Sequence, residues 1–257
     1  MRRLALVLLA VCSFVTSGCL SLEQTMTLDK NLSGTAGLTM NMDLEPIVGF
    51  MATMKASMSD KAGKPTDADL AAARKELMAS MGQRRTIDIE KEKKDAAAQL
   101  PAGVKLLDAT IKEDGLKMTV GMLLGFDHAS KLEQIKFKKD AGAAPAGMDN
   151  PMDDPFGGLK IVDEGKTILV TSPARNPMAE QQDEMGQMPM DAEMKALFDT
   201  MLGGIRVVVK LTAPFDVMEH NAHRKEGNTL IWDYNMASLK KMSAAEVEQG
   251  VRVRYRK

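Results

Sequence analysis

Three times along this chain an acidic residue followed by glycine separates two short runs of alternating apolar residues: Asp114-Gly115, Glu164-Gly165 and Glu226-Gly227. Glycine accepts the positive φ of a tight hairpin without steric cost, and a period of two marks a strand with one covered face. The first hairpin is expected to run over Val104 to Lys112 and return over Leu116 to Leu124. The second runs over Leu159 to Val162 and Thr167 to Thr171, the third over Phe215 to Arg224 and Thr229 to Tyr234. A further hairpin opens the folded part, where Leu20, Leu22, Met26 and Leu28 alternate before a turn-rich link and Leu38, Met40, Met42 and Leu44 follow it. Ile205 to Leu211 is uniformly apolar and reads as an inner strand, and Val251 to Tyr255 alternates as a last one.

Helical periodicity fills the gaps. Pro46 opens a stretch with Ile47, Phe50, Met51 and Met54 on one face. Thr66 or Asp67 caps another with Leu70, Ala73, Leu77, Met78 and Met81 on one side. Residues 88–99 and 191–202 read as two more helices, with shorter turns at 130–135 and 237–242. Hairpins alternating with helices predict an α+β fold: an antiparallel β-sheet built from successive hairpins, covered on one face by helices. Residues 138–157 and 173–190 carry turn-forming and polar residues without periodicity and are expected to be mobile insertions. With aromatics at 4% and 22 methionines, the core must be built from Met, Leu, Val, Ile and Ala. A formal charge of −1 gives no nucleic-acid footprint and no polybasic membrane patch.

The first residues are of another kind. Arg2 and Arg3 precede an apolar run from Leu4 to Val15, and Ser17-Gly18 place small residues ahead of Cys19. This is a secretory signal that ends on a cysteine, and it resembles the bacterial lipobox. That resemblance implies a diacylglyceryl group on the Cys19 thiol, removal of residues 1–18, a further acyl chain such as palmitate, and a single α+β domain over 19–257. Thr16 stands where the motif prefers Leu or Val, with Val15 just ahead of it. Two other readings exist. An ordinary cleavage near Gly18 would leave Cys19 as the one thiol of an exported chain, because Cys12 is the only other cysteine. A spanning helix over 4–20 falls short of the ~20 apolar residues a bilayer needs. Leu20 after the cysteine lacks the aspartate that retains lipoproteins in an inner membrane. The expected location is therefore the cell envelope, on an outer membrane facing the periplasm where one exists.

Chemistry-bearing motifs are sparse. His220 and His223, with Glu219 beside them, lie near a strand end, where residues three apart point to opposite faces. His128 follows Asp127 at a helix start and reads as a cap. No nucleophile elbow, phosphate loop, dinucleotide fingerprint or zinc-protease helix is present. The reading is a non-enzyme without a cofactor and without nucleic acid as a partner. Met185, Met188, Met190 and Met194, with Met178 before them, cluster in a polar segment. Thioethers select Cu(I), which makes these residues a weak metal alternative to core filler or a pliable ligand wall.

Gly18-Cys19-Leu20, the Pro214-Phe215-Asp216-Val217 strand start and Glu226-Gly227-Asn228-Thr229-Leu230-Ile231-Trp232 together make the chain similar to the LppM-like lipoprotein domain of bacteria. The resemblance covers the two ends more than the middle, and the C-terminal membrane helix that the family often carries is not seen. It implies an envelope domain that binds lipid and has no catalytic residues. Two functions are open: a module that binds a lipid or other amphiphile, and an assembly lipoprotein that binds an envelope protein. Alternation puts Leu230, Trp232 and Tyr234 on one face, as a core anchor or as the wall of a ligand groove. A pocket against the sheet would mark the first function, a filled core with an exposed sheet edge the second.

Overall fold

The structure is a computed structural model, and it describes residues 20–58, 65–83, 89–137, 154–174, 196, 199 and 203–257. Three of the four expected hairpins form close to the expected bounds. They are β1 (Leu20–Leu28) with β2 (Gly34–Asp43), β3 (Val104–Asp114) with β4 (Lys117–Phe126), and β5 (Lys160–Asp163) with β6 (Thr167–Ser172). Gly115 takes φ 61 in the middle turn, the conformation for which Asp-Gly was chosen. Helices α1 (Glu45–Met58), α2 (Asp67–Gln83) and α3 (Ile89–Ala98) lie between β2 and β3. Thr66 caps α2, its hydroxyl accepting from the Asp69 amide at 3.3 Å.

Two sheets form. The larger has the order β3-β4-β2-β1-β7-β10-β9, with β7 at Ile205–Thr212, β9 at Arg224–Glu226 and β10 at Thr229–Asn235. The smaller has the order β5-β6-β11-β8, with β8 at Asp216–His220 and β11 at Val251–Arg256. The α+β class holds, with two additions to the reading from hairpins alone. First, β1 pairs in parallel with β7, from Leu20 opposite Ile205 to Thr27 opposite Thr212, so the large sheet is mixed. Second, among the described residues the apolar face of that sheet packs chiefly on the small sheet and a 3-10 turn (Ala129–Gln134). Leu22, Met26, Leu38, Leu124, Val207 and Trp232 on one side meet Ile161, Ile168, Val170, Val253 and Tyr255 on the other in one cluster.

The 215–224 strand is interrupted. β8 leaves the large sheet for the small one, residues 221–223 cross back, and only three residues remain to pair as β9. Residues 154–157 also depart from expectation, forming a turn in which Phe156 is 1% exposed and belongs to the core. An aromatic ring buries enough apolar surface to order a segment whose average composition is that of a loop. Residues 138–153 and 175–195, which hold most of both expected insertions and the cluster Met178, Met185, Met188, Met190 and Met194, lie outside the described residues.

Two short helices, α4 (Met236–Leu239) and α5 (Ala244–Gln249), connect β10 to β11. Both carry capping boxes, Asn235 with Ser238 and Ser243 with Glu246. The Glu246 carboxyl is held below the usual range by the Ser243 amide and hydroxyl.

Candidate functional site

The three residues of the expected groove end up side by side on β10, facing the small sheet. Leu230 and Trp232 are fully enclosed and Tyr234 is 4% exposed. The Trp232 indole N–H donates to Asn221 Oδ1 at 2.7 Å. The same oxygen accepts from the Arg252 amide at 2.9 Å, and Asn221 Nδ2 donates to the Gly250 carbonyl at 2.8 Å. The Tyr234 hydroxyl donates to that carbonyl as well, at 3.0 Å, and burial pushes its pKa up to about 12. Asn221 sits where the chain crosses between the sheets, and its side chain ties β10 of one to β11 of the other. No sequence pattern marked it: it is a polar residue in a predicted strand.

Among the described residues a small cleft lies beside this cluster, between the sheets. Leu22, Gln24, Val207, Tyr234 and Val251 border it, Pro155 and Pro173 close its rim, and it has space for a water or two. Gln24 is the one polar side chain that the central strand β1 turns toward it, and its amide donates to the Pro155 carbonyl at 3.3 Å. An acyl chain needs far more room than this. Trp232 is separated from the cleft, and of the three groove candidates only Tyr234 reaches it.

The histidines are taken up by backbone. His220 Nδ1 accepts from the Ala222 amide at 3.1 Å, and His223 Nδ1 from the Asp233 amide at 2.9 Å with its ring edge-on to Tyr234. Glu219 pairs with Arg252 and Arg254 instead of turning to either ring. His128 caps the 3-10 turn, accepting from the Ser130 amide. Among the described residues no cluster of three or more His, Cys, Asp or Glu converges, and no charged side chain is buried. Asp127, Asp163 and Asp233 are lowered by hydrogen bonds from Lys131, Lys257 and Arg206, and burial raises Tyr234 and Tyr255.

Sheet edges are blunted as well. β3 carries a bulge between Leu106 and Asp108, β9 has three residues, all charged, β5 has four, and β8 pairs with an irregular register. What stands out is the sheet end where β1 begins. There Leu20 lies opposite Met42, and Met42 opposite Met118, a half-buried apolar row across three strands. Glu45, the first residue of α1, follows Met42 by three positions. α1 packs Val48, Ala52 and Ala56 toward α2, where Val48 and Ala52 join Ala73 and Leu116 in a satellite core. Its two charged residues are both engaged by α2, Glu45 by Arg74 and Lys55 by Glu76. The opposite face of α1 carries Ile47, Phe50 and Met54 and no charge.

No family model and no curated protein matches the chain. Among solved structures, the NMR structure of the folded domain of Mycobacterium tuberculosis LppM is similar over 95% of this chain and 92% of that one, at 10% identity and a TM-score of 0.37.

Proposed function

We propose that the chain is an exported envelope lipoprotein, acylated on Cys19, whose double-sheet domain acts at the membrane as a non-catalytic module for lipid or another amphiphile. What carries this reading is the position of Cys19, the last residue of a lipobox-like signal, immediately ahead of β1. The domain has no spacer between anchor and fold, so it works within reach of the bilayer. Leu20 in the position after the cysteine favours an outer membrane facing the periplasm. Mass spectrometry of the mature protein should find acyl chains on Cys19. Cys19→Ala should stay a precursor and lose its partition into detergent. A wild-type protein without acyl mass, and a mutant that still fractionates as wild type does, would remove the reading.

The small size of the cleft among the described residues favours a second reading of the same lipoprotein, as an assembly component that binds an envelope protein and no small ligand. Trp232 separates the two, because it is the sole tryptophan and donates to the Asn221 bridge between the sheets. In titrations with phospholipids, a saturable shift or quench of its emission supports an amphiphile that enters between the sheets. An unchanged, blue-shifted emission moves the function to a protein partner or to lipid contact outside the core.

A further inference from the structure

We infer that the end of the large sheet where β1 begins, together with the uncharged face of α1, is a membrane-docking surface whose occupant is the bilayer that holds the Cys19 acyl chains. The inference rests on the acylation proposed above and adds an orientation to it.

Adjacent Cα atoms are about 3.8 Å apart, so an anchor on Cys19 sits within one residue of Leu20. Leu20 begins a strand in the interior of a seven-stranded sheet, fixed by β2 on one side and β7 on the other. The anchor therefore has no slack, and this end of the sheet must face the membrane. The side chains there suit that position. Leu20, Met42 and Met118 form their row, and among the described residues none of them belongs to either core cluster. Ile47 and Phe50 are half-buried, and Met54 is 38% exposed. At 100° per residue these three lie opposite the face that α1 packs on α2. A helix that keeps its only charges on one side and apolar groups on the other presents a surface that an acyl–headgroup boundary accepts. The tether raises the local concentration of membrane at this face, so even a weak patch settles onto it.

The test uses the full-length lipidated protein in phosphatidylcholine vesicles, with and without bromine on the acyl chains. Trp232 is wholly enclosed, so wild type supplies an unquenched background. Phe50→Trp should lose roughly half of its added emission on brominated lipid if the ring lies at the boundary. Lys225→Trp, exposed at the opposite end of the sheet, should lose none. If a larger ring at 50 disturbs the helix, Met54→Trp repeats the measurement one turn on. Acyl mass on Cys19 with Phe50→Trp and Met54→Trp no more quenched than Lys225→Trp overturns the surface and leaves the lipoprotein standing. Missing acyl mass overturns the lipoprotein reading, and the surface falls with it.

Discussion

Asn221 shows how one side chain can hold two layers together. It satisfies the Trp232 indole, which is wholly enclosed, while bracing the Gly250 carbonyl and the Arg252 amide. Asn221→Ala removes those bonds and strands the indole N–H in the core. At about 1 kcal/mol per bond, plus the cost of the orphaned donor, the loss should be about 2–4 kcal/mol. Urea denaturation should show it as a lowered midpoint. In the double variant with Trp232→Phe the two losses should sum to less than their separate values, because the donor has gone too. Full additivity would mean that the bridge is not a coupled unit. Gly250 completes the junction. It has φ 36, and a Cβ there would sit 2.1 Å from the Ala174 nitrogen and 2.4 Å from the Ser172 carbonyl oxygen, so both space and conformation demand glycine. Glycine at that position is legible in the sequence only as a strand start, and Asn221 not at all. Residues that join distant layers leave no local period.

At the scale of elements, the hairpins were readable because turn and alternation are local, and because each hairpin turn carries its glycine signal. The helices 45–58 and 67–83 were readable for the same reason, through proline, a Thr cap and apolar spacing. The crossing at 221–223 was not, since alternation in 215–224 says that a strand exists and not which sheet receives it. Charge pairs across strands on the face turned away from the small sheet follow the same local logic. Arg206 grips Asp233 with two bonds of 2.8 and 2.5 Å, and Arg224 stands 3.5 Å away. The hydrogen bonds from Arg206 lower the Asp233 pKa in the fold. A lowered folded value means that stabilisation is present above the unfolded carboxyl value of about 3.9 and is lost as pH falls through the folded one. Asp233→Asn should therefore cost roughly 1 kcal/mol or less at neutral pH, where solvent screens a half-exposed pair. At about pH 2 the gap to wild type should close. A gap that persists unchanged in acid would assign the loss to packing rather than to charge.

For the molecule as a whole, the parallel pairing of β1 with β7 was the least legible feature. Nothing near residue 20 refers to residue 205, and the pairing is fixed only when the apolar faces of both strands seek the same core. The candidate groove was legible as a face and not as an opening. Alternation put Leu230, Trp232 and Tyr234 together, but whether a cavity faces them depends on how Val251, Val253 and Tyr255 fill the space from the other sheet. That same parallel pairing has a mechanical side. An envelope protein fixed by its first residue takes any load through that residue, and here the load would enter along the axis of β1. Pulling β1 lengthwise does not peel hydrogen bonds one at a time from an edge. It must shear the ladders to β2 and β7 together, so the anchor proposed on Cys19 would be attached where the sheet is hardest to unravel.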